Sequence, residues 1–159
     1  MDKDSSGSIN VEELREALLN NNWTHFNEET CRLLIGMFDR NKDGTIDVYE
    51  FEALWKYVQE WRKCFEKYDR DKTGKMNTME LHKALTDFGY ALTPEFCNLC
   101  TRVFDRKDTR SMKFDDFIQC CVMINILTDS FKKRDTQRSG VITVHYEDFL
   151  EMVLDNQIV

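Results

Sequence analysis

Apolar residues recur at helical spacing in two long stretches, residues 48–68 and 114–134, and neither stretch contains glycine or proline. Intervals of three and four residues place side chains on one face of an α-helix. The apolar positions of the first stretch are Val48, Phe51, Leu54, Trp55, Val58, Trp61, Phe65 and Tyr68, and those of the second are Phe117, Ile118, Cys121, Val122, Leu127 and Phe131. The pattern therefore predicts two long, uninterrupted helices.

Polar segments elsewhere predict breaks between helices. Three asparagines at 20–22 interrupt the pattern, and Asn27 followed by two glutamates is typical of a helix start. A second break is predicted at residues 88–90, Phe-Gly-Tyr, since Thr93-Pro94-Glu95 then provides an N-cap, a first-turn proline and an acid. The chain is therefore predicted to be all-α.

Three acidic segments, residues 2–13, 39–50 and 69–80, repeat one pattern. Each has an acid or amide at positions 1 and 3, glycine at 6, an aliphatic residue at 8 and glutamate at 12. Calcium takes about six to eight oxygen ligands, which the twelve-residue loop of an EF-hand supplies from alternate positions. Glycine permits the sharp turn because it tolerates positive φ. The segments could instead be solvated acidic turns, but three matches in one chain are too many for chance.

The spacing predicts the calcium ligands of each loop. In loop 1 they are Asp2, Asp4, Ser6, the Ser8 carbonyl and Glu13, with Asn10 acting through water. In loop 2 they are Asp39, Asn41, Asp43, the Thr45 carbonyl, Asp47 and Glu50. In loop 3 they are Asp69, Asp71, Thr73, the Lys75 carbonyl and Glu80, with Asn77 at the water position. Each glutamate is expected to reach back from the exiting helix and donate both oxygens.

Two further loops, residues 105–116 and 135–146, have lost part of the pattern. Loop 4 keeps Asp105 but carries Lys107, Arg110 and Asp116 at positions 3, 6 and 12. Loop 5 departs from the pattern at positions 3 and 12, where it has Gln137 and Tyr146. It keeps the pattern at positions 1, 5 and 6, with Asp135, Ser139 and Gly140. Basic side chains repel calcium, and aspartate is one methylene too short for the bidentate reach. We expect both loops to be largely free of metal at cytosolic calcium, with weak binding at most in the fifth.

The intervals between the loop starts predict how the hands pair. They are 37, 30, 36 and 30 residues. Two EF-hands dock their loops through a short antiparallel ribbon, which requires an exiting helix, a linker and an entering helix between them. Only the longer intervals contain a break. Hands 1 and 2 and hands 3 and 4 are therefore predicted to pair within a single domain, residues 1–159, which leaves the fifth hand unpaired.

The unpaired hand predicts a dimer. It exposes a β-edge at Val141, Ile142 and Thr143, and it is followed by the apolar residues Phe149, Met152, Val153, Leu154, Ile158 and Val159. Exposed edges and apolar patches are normally covered, and a two-fold contact between fifth hands would cover both. We expect Val141, Ile142, Thr143, Phe149 and Val153 to contribute. The alternative is that the C-terminal segment folds onto its own chain.

Composition excludes several classes of function. The net charge of −7 leaves no basic footprint for nucleic acid. No apolar run has membrane-spanning length, and the charged residues directly after Met1 do not resemble a signal peptide. A cytoplasmic location is expected, with nuclear location or recruitment to membranes as options. The six cysteines are then reduced, and Cys97-x-x-Cys100 is interpreted as helix packing rather than a zinc site, since the nearby His82 is isolated.

The aromatic residues suggest a binding groove. Phe51, Trp55, Trp61, Phe88 and Tyr90 lie on or beside the first long helix and the second break. Such residues are core by default, but grooves lined by aromatic rings suit proline-rich peptides. Calcium binding would expose this surface by moving the exiting helices, and three ions would change the net charge from −7 to about −1. An enzyme is the least expected class, because the three histidines lie in no nucleophile motif.

Five hands with shared helices between the second and third and between the fourth and fifth resemble the penta-EF-hand family over the whole chain. The unmodified first loop, Trp23, and residues 54–57, 68–71 and 88–90 are similar to the branch that contains peflin and the apoptosis-linked calcium sensor. Members of the family have a helix that enters the first hand, whereas this sequence begins next to the first ligand, either because it is truncated or because the protein has no such helix.

The resemblance implies a calcium-dependent adaptor. Its cofactor would be Ca2+, and its partners would be proline-rich segments of membrane-trafficking proteins, with a calcium-dependent association with membranes. It would form a homodimer or heterodimer through the fifth hand. Two alternatives remain: a calcium buffer without an exposed groove, and a regulatory subunit that heterodimerises through the fifth hand.

Overall fold

The computed structural model describes residues 2–105 and 110–156. These residues form seven helices and one short two-stranded sheet. The helices are α1 (Val11–Ala17), α2 (Glu28–Phe38), α3 (Val48–Tyr68), α4 (Thr78–Asp87), α5 (Pro94–Phe104), α6 (Phe114–Arg134) and α7 (Tyr146–Asp155), and the strands are β1 (Met76–Asn77) and β2 (Ser111–Met112). Lys107, Ile158 and Val159, which entered the predictions for loop 4 and the dimer, lie outside the described residues.

Both long helices are confirmed, since α3 and α6 each run for 21 residues without interruption. Neither contains a residue that breaks a helix, and each keeps an apolar face against the core. Asp47 caps α3 by accepting a hydrogen bond from the Glu50 amide. α6 has no side-chain cap but carries Asp115 and Asp116 in its first turn.

Both predicted breaks are confirmed as well. α1 ends at Ala17, before the three asparagines, and the Asn27 side chain accepts a 2.7 Å hydrogen bond from the Thr30 amide at the start of α2. α4 ends at Asp87, and Gly89 follows with a φ of +95°. Thr93 then caps α5, whose first residue is Pro94. Local chemistry therefore sets these boundaries.

The loops pair as the spacing predicts. Ile9 and Ile46 exchange two backbone hydrogen bonds of 2.7 and 2.9 Å between loops 1 and 2. β1 pairs antiparallel with β2, with Met76 opposite Met112, and so joins loops 3 and 4. Residues 141–143 of the fifth loop form no strand. Hands 1/2 and 3/4 are therefore pairs, and the fifth loop is outside both ribbons.

One aromatic core joins the two pairs. Phe65 of α3 lies between Phe114 and Phe117 of α6, with ring centroids 5.4 and 5.5 Å apart, and Phe26 packs on Phe114 at 5.6 Å. All four rings are fully buried. α3 and α6, the two helices shared between hands, are therefore the elements that hold the hands together.

The cysteines are packing residues, as interpreted from the sequence. Five of the six are buried, namely Cys31, Cys97, Cys100, Cys120 and Cys121, and Cys64 is half-buried. Burial raises the pKa of the Cys31 thiol to about 12. Separately, no helix among the described residues is long and apolar enough to cross a membrane.

Candidate metal centres

Backbone amides hold the first acid of each loop in place. The glycine at position 6 donates to that carboxylate in loops 1, 2, 3 and 5, at 2.8, 2.8, 2.9 and 2.8 Å. These glycines have φ between +77° and +84°, a conformation that costs other residues energy. Arg110 occupies the same position in loop 4 with φ of +57°, and its amide also donates to Asp105. The predicted role of the glycine is confirmed, and in loop 4 Arg110 takes a conformation that is strained for a residue with a side chain.

The glutamate at position 12 reaches back across the loop. Glu13 accepts a 2.8 Å hydrogen bond from the Lys3 amide, and Glu50 accepts one of 3.0 Å from the Arg40 amide. Their second carboxylate oxygens accept from the Asn10 and Asp47 amides, at 3.1 and 3.0 Å. Both carboxylates therefore lie over their loops, where a bidentate ligand is needed.

The residue at position 9 caps the exiting helix in all three complete loops. The side chains of Asn10, Asp47 and Asn77 accept hydrogen bonds from the backbone amide of the glutamate at position 12, at 2.9, 2.8 and 2.9 Å. Asp47, predicted to be a direct ligand, thus has the same place as the two asparagines predicted to act through water. One of its carboxylate oxygens is already used by the cap.

Carboxylates converge in loops 1 and 3. Ligand oxygens of Asp2, Asp4 and Glu13 all lie within 4.8 Å of one another, and those of Asp69, Asp71 and Glu80 form an equivalent cluster. Within residues 2–105 and 110–156, loop 2 forms no such acid cluster. Asn41 replaces an acid there, and Asp43 accepts two 2.8 Å hydrogen bonds from the amide and hydroxyl of Thr45.

The donor sets of loops 1 and 3 fit a hard divalent cation such as calcium, because they consist of carboxylate, hydroxyl and carbonyl oxygens. In loop 1 the Ser6 hydroxyl lies 3.1 Å from the Ser8 carbonyl oxygen, and in loop 3 the Thr73 hydroxyl lies 3.0 Å from that of Lys75. The predicted ligands at positions 5 and 7 are therefore adjacent in both loops.

The charges of loop 3 also favour a cation. Burial raises the pKa of Glu80, and the negative charges of Asp71 and Asp69 raise it further. A divalent cation would remove this repulsion and lower the pKa again. Protons therefore compete with calcium at Glu80, and the affinity of loop 3 should fall as the pH is lowered.

The last acid of loop 4 holds two helices together. The Asp116 carboxylate accepts a 3.0 Å hydrogen bond from the Asn27 side-chain amide, and that of Asp115 accepts one of 2.7 Å from the Asn27 backbone amide. The Asp115 amide in turn donates to Asn20 at 2.8 Å. Both acids are buried. Sequence reasoning treated Asp116 as a shortened ligand and missed this contact between α6 and α2, which lie about 90 residues apart in the sequence.

Replacing Asp116 should therefore change the stability of the folded protein rather than its calcium affinity. Asp116→Ala leaves the Asn27 amide without one acceptor, which should lower the free energy of unfolding by about 1–3 kcal/mol. Urea denaturation without calcium measures this change. Asp148→Ala removes an exposed acid from the first turn of α7 and should have little effect. Equal stability of the two variants would contradict the structural role of Asp116.

Three of the five predicted groove residues meet in one cleft. Trp61, Phe88 and Tyr90 line a cavity of about 390 Å³ between α3, the α4–α5 linker and α6, and its other walls include Tyr57, Val122 and Asn125. Sequence reasoning missed these last three. Tyr57 lies one helical turn before Trp61, and that spacing could have revealed it.

The other two predicted groove residues lie elsewhere, so the prediction of one five-residue groove is wrong. Trp55 lines a separate cavity of about 470 Å³, together with Trp23 and Arg62. The ring of Phe51 lies 6.0 Å from that of Trp55 and is outside the cleft. A helix of 21 residues presents its aromatic side chains in more than one direction, and only packing decides which of them share a cleft.

The fifth hand presents an apolar surface. None of the described residues of α7 is buried, and Phe149 and Val153 are 53% and 46% exposed. In the loop before it Val141 is 73% exposed, Thr143 is exposed and Ile142 is half-buried. In the alternative, this segment folds onto its own chain and its apolar residues are buried. The described residues of the segment are not buried in this way.

Comparisons with known proteins also identify EF-hands in this chain. A model of the EF-hand domain pair matches residues 1–56, and a model of the EF-hand domain matches residues 60–89. Human peflin is 43% identical over 159 residues, which cover 99% of this chain and 56% of peflin. Human sorcin is 38% identical over 93% of this chain and 76% of sorcin. Sorcin of Schistosoma japonicum is 45% identical over 94% and 87%.

A solved structure has the same fold. It is that of a homolog of programmed cell death 6 protein from Leishmania major Friedlin, with a TM-score of 0.85 and 29% identity. The match covers 98% of this chain and 89% of that one. The chain spans little more than half the length of the peflin sequences it matches.

Proposed function

The chain belongs to the penta-EF-hand family of calcium-binding proteins, and on that premise we propose that it is a calcium sensor and adaptor that recruits target proteins. Its cofactor is Ca2+. The proposed recognition element is the cleft formed by Trp61, Phe88 and Tyr90 together with Tyr57. The proposed targets are proline-rich peptide segments.

The observation that carries this proposal is the position of the cleft relative to the loops. Tyr57 and Trp61 lie on α3, which exits loop 2 and enters loop 3. Phe88 directly follows α4, the helix that exits loop 3. A change in the angle of either exiting helix would therefore change the width of the cleft. An adaptor requires such a link between metal binding and surface.

The chemistry of the cleft suits a proline-rich segment. Its volume of about 390 Å³ lies within the usual range of ligand pockets. Aromatic rings provide flat apolar surfaces for proline, whose polyproline II conformation costs little entropy to bind. The backbone of such a segment makes no internal hydrogen bonds, and Asn125 and Glu60 at the rim offer polar contacts. Tyr90 and Asn125 already form a 3.2 Å hydrogen bond across the opening.

Peptide binding tests the proposal. We expect calcium to increase binding of a proline-rich peptide and of a hydrophobic dye. Tyr90→Ala should then weaken peptide binding by roughly 10-fold or more, because a central aromatic contact contributes about 2 kcal/mol. Titration calorimetry with and without calcium provides the measurement. Trp55→Ala is the control, because Trp55 is an aromatic residue of α3 that lies outside the cleft.

One outcome would reject the adaptor role, and another would reject the cleft as its binding site. If calcium increases neither dye nor peptide binding, the protein is better described as a calcium buffer. If Trp55→Ala weakens binding and Tyr90→Ala does not, the recognition surface is the cavity beside Trp23 and the cleft is not the site.

The fifth hand is proposed to form a dimer with a second penta-EF-hand chain, either another copy or a larger relative. The exposed apolar residues of α7 and of the preceding loop support this proposal, because such a surface is normally covered. Two identical copies would bury the same residues on both sides.

A further inference from the structure

Two thiols line the cleft, and the adaptor role uses neither of them. Cys64 lies on α3 and Cys121 lies on α6, and both belong to the wall of the cavity of about 390 Å³. Cys121 is only 3% exposed, and its thiol makes no hydrogen bond with any residue that the structure describes. The cleft therefore contains two sulfur atoms that packing alone does not explain.

Cys64 is more accessible than the other cysteines. All six lie within the described part of the chain, and five of them are buried, whereas Cys64 is half-buried at the cleft. A small reagent that enters the cleft therefore meets the Cys64 sulfur first. Selective reaction of a cysteine follows its exposure as well as its ionisation.

The two thiols do not form a metal site with their neighbours. Zinc requires three or four protein ligands that converge on one point. Among residues 2–105 and 110–156, convergent groups of three such ligands occur at loops 1 and 3 and not in the cleft. A covalent reaction needs only one accessible sulfur, so the arrangement favours covalent chemistry over metal binding.

The surroundings of Cys64 set how it reacts. Burial raises the pKa of the Cys64 thiol, and the positive charge of Lys67 on the same helix acts in the opposite direction. Because the thiolate is the nucleophile, Cys64 reacts slowly with a reagent that only collides with it. A reagent that binds in the cleft first has the advantage of being held next to the sulfur.

The cleft offers polar contacts for a small peptide thiol. Glu60, Asn125 and Tyr90 line it together with the aromatic rings, and Lys67 lies close enough to Cys64 for its charge to act on the thiol. Glutathione carries an ammonium group, two carboxylates and two peptide bonds. Glu60 suits the ammonium group, Lys67 suits a carboxylate, and Asn125 and Tyr90 suit the peptide groups.

We propose that Cys64 is a modification site, at which a low-molecular-weight disulfide such as glutathione disulfide forms a mixed disulfide that fills the cleft and excludes the target peptide. The inference rests on the proposed function, because it concerns the regulation of the same cleft. Cys64 lies three residues after Trp61, so both side chains leave α3 on the same side. A group attached to Cys64 therefore lies beside a ring that the target would contact.

The reaction is an ordinary thiol–disulfide exchange. The Cys64 thiolate attacks one sulfur of glutathione disulfide, a bond forms between the two sulfurs, and the original disulfide bond breaks. The second glutathione leaves as a thiolate and takes up the proton that Cys64 has lost. Cys64 is oxidised and the leaving glutathione is reduced, so no further oxidant is needed.

Mass spectrometry tests the site itself. The full chain is incubated with glutathione disulfide in the presence of calcium, and its intact mass and digested peptides are measured. We expect one glutathione per chain, attached to Cys64, and none in Cys64→Ser. In denaturant all six cysteines should react, which shows that the fold and not the reagent causes the selectivity.

Titration calorimetry tests the effect on the cleft. The modified chain should bind a proline-rich peptide roughly 10-fold more weakly or worse, because the adduct covers central aromatic contacts. Dithiothreitol, which removes the adduct, should restore the original affinity. Cys64→Ser is the matched control, since its own affinity should be the same before and after incubation with glutathione disulfide.

Three results would overturn the inference. The absence of an adduct on the folded chain, or an adduct spread over the cysteines without preference for Cys64, would reject the site. An adduct at Cys64 that leaves peptide affinity unchanged would reject its regulation of the cleft. Peptide mapping of the natural chain assigns the site even if Cys64→Ser does not fold.

Failure of this inference can be separated from failure of the adaptor proposal. The adduct is detected by mass without any peptide present. If the reduced chain binds no proline-rich peptide, the adaptor role is rejected, and the modification site is accepted or rejected on the mass alone. If the reduced chain binds the peptide and no adduct forms at Cys64, the adaptor role remains and the modification site is rejected.

Discussion

Glu80→Ala is expected to lower the calcium affinity of loop 3 by about 100-fold or more, from the sensor range of about 10⁻⁷–10⁻⁵ M to about 10⁻⁴–10⁻³ M. The substitution removes two oxygens of the ligand set and leaves Asp69 and Asp71 without the acid that completes their cluster. Calorimetric titration at micromolar calcium should therefore show one bound ion fewer. Glu13→Ala and Glu50→Ala should each have the same effect at their own loops.

Neighbouring acids provide the controls. Glu12→Ala and Glu52→Ala each remove an exposed glutamate within two residues of a predicted ligand, with the same change of net charge. They should leave the number of bound ions unchanged. If the stoichiometry stays the same in all three ligand variants, the assignment of the sites is wrong. If Glu50→Ala alone has no effect, loop 2, where the acids do not converge, is not a calcium site.

The second large effect is expected at the fifth hand, where Phe149→Asp should convert a dimer into monomers. In a two-fold interface each substitution occurs twice, and truncating a central aromatic residue costs about 2 kcal/mol per copy. A total of about 4 kcal/mol corresponds to a roughly 1,000-fold weaker dimer. The charge of aspartate adds a desolvation cost. Sedimentation over a range of protein concentrations measures the dissociation constant.

Leu99→Asp is the matched control for this experiment. Leu99 lies on α5 and is 41% exposed, close to the 53% of Phe149, so its replacement has the same charge effect away from the fifth hand. A dimer that survives Phe149→Asp would place the interface elsewhere. If the natural chain is monomeric at all concentrations, the homodimer is wrong, and native mass spectrometry with a second penta-EF-hand chain then tests the heterodimer.

The calcium loops could be predicted from the sequence because their geometry is local. Five ligand positions, a turn and a helix cap all lie within twelve residues. The φ of Gly44 or Gly74 and the cap formed by Asp47 follow from the chemistry of the residues themselves. Helix boundaries at Asn27 and Thr93 were predicted for the same reason.

The cleft could be predicted only in part. Trp61, Phe88 and Tyr90 were identified as aromatic residues near the central helix, but so were Phe51 and Trp55, which lie outside the cleft. Their side chains leave α3 in other directions, and Trp55 lines a cavity with residues of the α1–α2 linker. A helical pattern gives the face of each residue but not the element that packs against that face.

The sequence by itself determined which segments are EF-hands, which of them pair and which is left over, because ligand spacing and interval length are properties of a single chain. Only the tertiary structure decided which residues of different hands contact one another. It placed Asp115 and Asp116 against Asn27 and divided the aromatic residues between two cavities. The physical reason is that these contacts join residues on different helices, whose relative positions depend on the packing of the whole core.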